Sequence, residues 1–135
     1  VRDIRTRNAD YDGDGANAGG IHAEIMGLHS ALDAAIRAYA DRVVGAPIVY
    51  APGAYPYFFA DTDADGTPDP SEAIYPNRYQ SWTPRLLKAA YNYQFAAKDP
   101  GGYTHNPQYM MQLLYDSLES LSEEVDVDIA GLTRP

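Results

Sequence analysis

Residues 61–72 carry oxygen donors at the spacing of a calcium-binding loop. The segment reads Asp-x-Asp-x-Asp-Gly and ends on a glutamate. Calcium takes about six to eight oxygen ligands in flexible geometry, and Gly66 permits the sharp turn that folds the chain back over an ion. A solvated acidic turn is the competing interpretation. The pattern predicts a calcium site with these ligands: Asp61, Asp63, Asp65, the backbone carbonyl of Thr67, Asp69 directly or through water, and Glu72.

Prolines around this loop argue against a paired helix-loop-helix hand. Pro68 removes a backbone N–H where paired hands form a short β-bridge, and Pro52 and Pro56 oppose an entering helix. Pro76 limits an exiting helix. We therefore expect one loop that pins irregular chain, rather than a calcium sensor that opens and closes.

A second acidic loop is predicted at residues 8–24. Asp10, Asp12 and Asp14, followed by Gly15, match the first half of the same pattern. The twelfth position is Ile21, which has no ligand atom, so Glu24 is predicted to close a lengthened loop. The alternative is a helix-entry loop whose carboxylates face the helix dipole.

The segments that must position these loops read as helices. Apolar residues at steps of three and four predict helices at 20–44, 83–97 and 106–122. Thr83 and Asn106 are the expected N-caps of the last two, each followed by proline. The wide apolar surface of the helix at 83–97 predicts burial on more than one side. The sequence thus indicates a single domain, 1–135, that is mainly α: three principal helices joined by long irregular loops pinned by calcium.

The histidines have two interpretations. His22 and His29, seven residues apart on the first helix, are able to face one way and contact a metal or haem. His105 lies just before the third helix, where it either bonds locally or faces a partner. The ordinary interpretation of the helical pair is two partly exposed histidines beside a core stripe.

Two segments leave their roles open. The aromatic segment at 48–60, which includes Tyr55 and Tyr57, either packs over the helices or presents a surface for a flat ligand, a sugar or another subunit. The acidic tail at 123–135 alternates apolar and acidic residues. It reads equally as a strand added to a neighbour's edge and as a frayed terminus.

Composition narrows the function classes. The 135 residues are enough for one core, and the net charge is −9 without any Lys/Arg cluster to neutralise phosphates, so nucleic acid is not expected as a partner. No cysteine is present, which excludes disulfides and covalent c-type haem on this chain. No transmembrane run or signal peptide is apparent, and the chain lacks an initiator Met, so we expect a mature or processed fragment.

Several stretches of the sequence form a distinctive set. They are the aromatic stretch 54–59, Asn-Arg-Tyr-Gln-Ser-Trp-Thr-Pro-Arg-Leu-Leu-Lys-Ala-Ala-Tyr-Asn-Tyr-Gln at 77–94, Lys-Asp-Pro-Gly-Gly-Tyr-Thr-His-Asn-Pro at 98–107, and the shorter stretches 10–15 and 114–117. Together they resemble the C-terminal region of large secreted multihaem c-type cytochromes. The resemblance runs from about residue 8 to 121. It implies an extracellular or periplasmic setting, calcium, and proximity to haem-mediated electron transfer.

The resemblance has one departure, because this chain has no C-x-x-C-H motif. It implies at most that His22, His29 or His105 lies against, or ligates, a haem held by another part of a longer protein or by a partner.

The predicted function is a calcium-binding structural or assembly domain of an extracellular complex or filament, with two calcium ions, associated with multihaem cytochrome electron transfer. Its expected partners are further copies of itself or a haem-bearing protein. The alternative is a calcium-dependent binding module for a sugar or protein, which burial of Tyr55, Tyr57 and Tyr91 would contradict. No nucleophile elbow, zinc signature or phosphate loop is present, so an enzyme is not expected.

Overall fold

Three long helices frame the part of the chain that the computed structural model describes, residues 9–16 and 19–135. They are α1 (Gly20–Tyr39), α2 (Pro84–Lys98) and α4 (Pro107–Ser122), and a short helix α3 (Gly102–His105) precedes α4. The described chain is mainly helical, as predicted. Part of the predicted loop at 8–24, namely residues 8, 17 and 18, lies outside the described residues, as do residues 1–7.

Helix α1 is the central element. It packs against both α2 and α4. Its buried side chains follow the predicted stripe: Ile21, Ile25, Leu28, Leu32, Ala35, Ile36 and Tyr39. The predicted helix at 20–44 corresponds to α1 and a terminal π-helical turn, Ala40–Val44. The helix ends at Gly45, which has a φ of 75°, a left-handed conformation that suits glycine.

Helix α2 buries only one face, which corrects the prediction of burial on more than one side. Leu86, Ala89, Ala90 and Tyr93 are buried, whereas Leu87 is 51% exposed and Tyr91 69%. Helices α1 and α4 both contact α2, and the side that carries Leu87 and Tyr91 is left exposed. The hydroxyl of Thr83 accepts the Leu86 N–H at 3.2 Å, so this N-cap is formed as expected.

Helix α4 completes the core with Met110, Met111, Leu114, Leu118 and Leu121. Asn106 occupies its N-cap position but makes no side-chain cap hydrogen bond, unlike Thr83. Its backbone carbonyl accepts the Met110 N–H at 3.1 Å instead.

A two-stranded antiparallel hairpin lies between α1 and α2. Strand β1 (Ile48–Tyr50) pairs with β2 (Phe58–Ala60), and Val49 lies opposite Phe59. The aromatic segment divides accordingly, because Phe58 and Phe59 are buried in the hairpin while Tyr55 is 73% exposed. Trp82 meets Phe58 edge-on with ring centroids 5.7 Å apart. This hairpin delivers the chain into residue 61, the start of the predicted calcium loop.

The C-terminal tail packs on the chain's own core rather than fraying, and residues 123–135 form no strand within this chain. Val125 is buried, and the chain turns through a 3-10 helix at Ile129–Gly131. The N–H of Thr133 then donates to the carbonyl of Tyr11 at 3.3 Å. A methyl group at Gly13 would lie 2.6 Å from the Gly131 carbonyl oxygen, so the two backbones are in close contact. Alternation of apolar and acidic residues resembled a strand, but the apolar residues pack onto the chain's own core.

Among the described residues, no helix has the length and apolar character needed to cross a lipid bilayer.

Candidate metal centres

The aspartates of the loop at 61–72 converge as predicted for a cation site. Carboxylate oxygens of Asp61, Asp63 and Asp65 lie within 4.8 Å of one another. Ala64 and Gly66 both have positive φ values, 58° and 79°, within this turn. The loop therefore presents hard oxygen atoms at close range, which is the donor set calcium prefers.

One carboxylate oxygen in this loop is buried without a donor. Asp61 is 8% exposed; its Oδ2 accepts the Gly66 N–H at 3.0 Å, but its Oδ1 has no hydrogen-bond partner among the described residues. An unpaired buried charge is costly unless it is paired with a cation or neutralised. A calcium ion held by Asp61 would supply the missing partner, so the residues fit the predicted ion.

Glu72 closes the loop through hydrogen bonds to its backbone. It is 3% exposed, and its Oε1 accepts the N–H of Thr62 at 2.6 Å and the Thr62 hydroxyl at 2.8 Å. Its Oε2 accepts the Asp69 N–H at 3.2 Å. These donors, the Thr62 hydroxyl first among them, hold the pKa of Glu72 below its usual value and keep it ionised.

The other predicted ligands lie at the rim. Thr67 directs both its N–H and its hydroxyl to Asp65 Oδ1, each at 2.7 Å. The side chain of Asp69 is exposed. Neither Asp69 nor Glu72 belongs to the convergent group of three aspartates.

Asn77 fastens the two ends of the loop. Its amide donates to the carbonyl of Ala60 at 2.8 Å and to that of Glu72 at 3.0 Å. The sequence offered no signal for this role, because it depends on the two chain ends meeting after the hairpin forms.

The loop that begins at Asp10 gathers a second group. Carboxylate oxygens of Asp10, Asp12 and Glu24 lie within 4.8 Å of one another, and Glu24 is 5% exposed. Asp14, also predicted as a ligand, is exposed and lies outside this group. Burial, together with the nearby Glu24 and Asp14 charges, raises the pKa of Asp12 to about 6. A bound cation would oppose this effect by favouring the charged form.

The two loops share one hydrogen-bond pattern at their acidic positions. The first aspartate accepts from the glycine five residues on, Gly15 to Asp10 at 2.8 Å and Gly66 to Asp61 at 3.0 Å. At the third loop position, Asp12 accepts the Asp14 N–H and Asp63 accepts the Asp65 N–H. At the fifth position, Asp14 accepts the Ala16 N–H and Asp65 accepts the Thr67 N–H.

The closing glutamates also correspond. Glu24 accepts the Tyr11 N–H at 2.8 Å, as Glu72 accepts the Thr62 N–H at 2.6 Å. Both donors are the second residue of their loop. Glu24 is thus the structural counterpart of Glu72, although more residues separate it from its first aspartate.

The loops differ at their first aspartate. Asp10 Oδ1 accepts the Gly13 N–H at 2.8 Å, whereas Asp61 Oδ1 has no donor among the residues described. Gly13 has a φ of 77° and takes the left-handed backbone conformation that Ala64 takes at the corresponding position of the loop at 61–72. The loop at 61–72 therefore keeps one buried carboxylate oxygen unpaired, whereas the corresponding oxygen of Asp10 is hydrogen-bonded.

Helix α1 touches both loops. The carboxylate of Asp12 lies so close to Gly27 that a methyl group there would overlap with it. Farther along the helix, Arg37 pairs with Asp33 at 3.1 Å and directs Nη1 towards the Gly66 carbonyl at 3.4 Å. Neither contact was evident from sequence, where Gly27 is only an interruption in a helical pattern.

The three histidines have different surroundings. His29 is stacked on Tyr93 with ring centroids 3.9 Å apart, and its Nε2–H donates to the Tyr93 carbonyl at 3.0 Å. His105 Nε2 lies 3.2 Å from Asp99 Oδ1 on an exposed turn. His22 meets Tyr103 edge-on with centroids 4.8 Å apart. His22 and His29 line one groove, as their spacing allows, whereas His105 does not line it.

Exposed aromatic rings flank the loop at 61–72. Tyr55 and Tyr75 are 73% and 56% exposed, with ring planes 8° apart and centroids 6.5 Å apart. The Arg78 guanidinium lies 4.4 Å from the centre of the Tyr75 ring. Since one ring precedes the loop and the other follows it, closure of the loop sets their relative position.

Comparison with known proteins finds similarity to C-type polyheme cytochromes. OmcB of Geobacter sulfurreducens is 35% identical over 80 residues, which cover 53% of this chain and 11% of that protein. OmcC of the same organism is 35% identical over 80 residues, covering 10% of its length. The chain spans about a tenth of the length of these curated relatives, and the match covers about half of the chain rather than most of it. No protein-family model and no solved structure matches.

Proposed function

We propose that this chain is a calcium-stabilised helical domain with a structural or assembly role in an extracellular or periplasmic complex associated with multihaem cytochrome electron transfer. Two calcium ions bind, one per acidic loop. The chain performs no catalysis itself. Its partners are further copies of itself, in a complex or filament, or a haem-bearing protein.

The observation that carries the calcium proposal is the buried Asp61 oxygen, which has no donor among the described residues. The shared hydrogen-bond pattern of the two loops extends the proposal to the loop at Asp10. The proposed ligands of one ion are Asp61, Asp63, Asp65, Thr67, Asp69 and Glu72. The proposed ligands of the other ion are Asp10, Asp12, Asp14 and Glu24.

Calcium would act on folding rather than as a switch. An ion that binds only the native state, at a free concentration a hundredfold above its dissociation constant, contributes roughly 2.7 kcal/mol per site. Native domains of this size are stable by only about 5–15 kcal/mol. Both loops are long and irregular, so the ions are proposed to keep them ordered.

The electron-transfer association is supported by the similarity to C-type polyheme cytochromes. The chain has no cysteine and so carries no covalent c-type haem. Its contribution is therefore proposed as positioning and covering haem that belongs to another part of a longer chain or to a partner.

The test is thermal unfolding of the purified chain with calcium and with a chelator, while bound metal is counted. Two ions per chain and a fall in midpoint of about 10–20 °C on chelation are expected. Magnesium should restore little of that difference, because it demands a tighter octahedral geometry. Unchanged melting together with an absence of bound metal would remove the calcium proposal.

A calcium-dependent binding module is the second candidate, favoured by the exposure of Tyr55 and Tyr75 beside the calcium loop and of Tyr91 on α2. Binding of soluble polysaccharides should be measured with calcium and with chelator. Tyr55→Ala and Tyr75→Ala should abolish binding, and Tyr109→Ala, at a position that is 50% exposed elsewhere on the surface, is the matched control. No calcium-dependent retention of any polysaccharide would exclude a sugar-binding role.

A further inference from the structure

One side of α2 carries an exposed apolar stripe. Leu87, Tyr91 and Phe95 are spaced four residues apart, so they lie on one face of the helix, and they are 51%, 69% and 40% exposed. We call these three residues the α2 stripe. Tyr109 of α4 meets Phe95 edge-on with ring centroids 6.4 Å apart and extends the apolar surface. Contiguous apolar surface of this kind is typical of a face that packs on another protein surface.

Tyr91 stands between two shallow hollows on this side of the helix. The hollow towards the beginning of α2 measures about 400 Å³ and includes Leu87, and the hollow towards its end measures about 390 Å³ and includes Phe95. Tyr91 borders both of them. A projecting ring with a hollow on each side is complementary to a second copy of itself, because each ring fits the hollow beside the other. A two-fold contact between identical patches has this property.

The order of residues along the α2 stripe selects an antiparallel pair. Leu87 lies four residues before Tyr91, and Phe95 lies four residues after it. If two α2 helices cross antiparallel at Tyr91, Leu87 of each copy lies level with Phe95 of the other. Apolar side chains then meet apolar side chains along the whole contact. The opposed dipoles of the two helices favour the same direction.

The charges at the two ends of α2 agree with this direction. At its end, Lys98 is exposed, and its ammonium group lies 4.4 Å from the centre of the Tyr57 ring. At its beginning, Arg85 pairs with Glu123 at 2.6 Å and with Glu124 at 3.4 Å, and these glutamate side chains are 65% and 50% exposed. An antiparallel pair brings Lys98 of one copy towards the two glutamates of the other, whereas a parallel pair sets the two Lys98 side chains together. Charge complementarity therefore favours the antiparallel pair.

We propose that two copies of this chain pair through their α2 stripes, antiparallel, with Tyr91 at the two-fold axis. This inference rests on the assembly role proposed above, in which further copies of the chain are partners, and it names the surface that they share. A single helix face is a small contact, of roughly 1,200 Å² in total or less, so the dimer is reversible and dissociates on dilution.

Sedimentation equilibrium of the purified chain in calcium is the first test. The unaltered chain should form a reversible mixture of monomer and dimer. Tyr91→Glu should raise the Kd of the dimer by about tenfold or more, because it places a charge at the centre of the contact. Met26→Glu, at a residue of α1 that is 49% exposed, is the matched control and should leave the Kd unchanged. A chain that stays monomeric at millimolar concentration, or a dimer that Tyr91→Glu does not weaken, would overturn the proposal.

Single cysteines report the orientation of the pair, since the chain has no cysteine of its own. Leu87→Cys and Phe95→Cys are treated with a short bis-maleimide, first separately and then as an equal mixture. The antiparallel pair should give cross-linked dimer in the mixture and little in either variant alone. Cross-linking of each variant with itself would indicate a parallel pair, and absence of cross-linked dimer in all three samples would place the contact elsewhere. Either result would overturn the proposal.

A charge exchange tests the ends of the pair. Lys98→Glu should raise the Kd by about threefold or more, because it turns an attraction to the glutamates of the second copy into a repulsion. Adding Glu124→Lys to the same chain should recover most of this loss, while Glu123 keeps its ion pair with Arg85. Equal Kd values for the single and the double variant would contradict the antiparallel arrangement.

Melting of the same samples in calcium and in chelator separates the two proposals. Tyr91→Glu should keep the calcium-dependent midpoint, so its loss of dimer does not reflect unfolding. A calcium shift in a chain that stays monomeric would overturn the pairing and uphold the calcium proposal, and a dimer without a calcium shift would do the reverse. A monomeric chain that binds a C-type polyheme cytochrome in solution, and loses that binding in Tyr91→Glu, would assign the α2 stripe to a haem-bearing partner instead.

Discussion

The carboxylate of Asp12 rests on the backbone of Gly27, at a point on α1 where even a methyl group would overlap with it. This contact holds the first acidic loop against the helix that also carries its closing residue, Glu24. Glycine is required at position 27 because the Asp12 side chain approaches the backbone closely, not because the backbone takes an unusual conformation. Gly27 is therefore a positioning residue for the proposed first calcium site.

Gly27→Ala tests this arrangement against helix propensity. Alanine is favoured over glycine within a helix by about 1 kcal/mol, so a site free of contacts would be stabilised. We expect the opposite, a loss of about 1–3 kcal/mol in the free energy of unfolding, because Asp12 is displaced. Bound calcium should fall from two ions to one. Gly53→Ala, where no atom lies within 4 Å of the added methyl, is the control and should retain both ions.

Asp61→Asn should change stability in opposite directions with and without calcium. In chelator the variant should melt at the same temperature as the unaltered chain or higher, because a buried carboxylate with one unpaired oxygen has been removed. In calcium it should melt lower, because a ligand has been lost. Differential scanning calorimetry measures both effects, with the exposed Asp126→Asn as control. A variant that melts lower in chelator by several degrees would contradict the explanation.

Asn77→Ala should destabilise the loop without removing any ligand. It removes the side-chain donor from the carbonyl of Ala60 and one of two donors from that of Glu72, which keeps the Ile74 N–H at 2.8 Å, at a cost of about 1–3 kcal/mol. Urea unfolding measures this loss. Asn106→Ala is the matched control, since its side chain makes no cap hydrogen bond, and its effect should stay within about 0.5 kcal/mol. Equal losses in the two variants would show that the Asn77 hydrogen bonds add no measurable free energy of unfolding.

His29 should make stability depend on mildly acidic pH. Burial lowers its pKa in the folded chain from 6.5, so the unfolded chain binds more protons near and below that pH. Stability from the neutral, buried ring is therefore present above pH 6.5 and is lost as the pH falls below it. Urea unfolding in saturating calcium from pH 8 to pH 5 should show a steeper decline for the unaltered chain than for His29→Phe. Parallel profiles would assign the decline to the acidic loops instead.

Local patterns in the sequence were sufficient for the long helices and for the convergence of three acids in each loop, whereas Asp14, Asp69 and Glu72 lie outside these groups. Apolar periodicity marks α1, and Thr83 with Pro84 marks the beginning of α2. The pairing of Glu24 with the loop at Asp10 also followed from the lack of a ligand atom at Ile21. These inferences depend on residues that are near one another in sequence.

Features that depend on distant residues were beyond such reasoning. Asn77 fastens a loop whose ends meet only after the hairpin forms, and Gly27 is required only once Asp12 packs on α1. The tail pattern predicted a strand or a free end because the sequence does not show that Val125 reaches the core. The exposure of one face of α2 could not be predicted either. Apolar residues on both sides of a helix suggest burial, but the sequence does not show whether another element covers each side.

The contact between Thr133 and Tyr11 fixes an order of events during synthesis. Tyr11 precedes α1, α2 and α4 in the chain, but the residues that cover its loop follow only after these helices. The loop at 61–72 is different, because Arg37 precedes it and Asn77 follows it within a few residues. The loop at 61–72 is thus able to close while translation continues. The loop at Asp10 is covered only after all three long helices have been made.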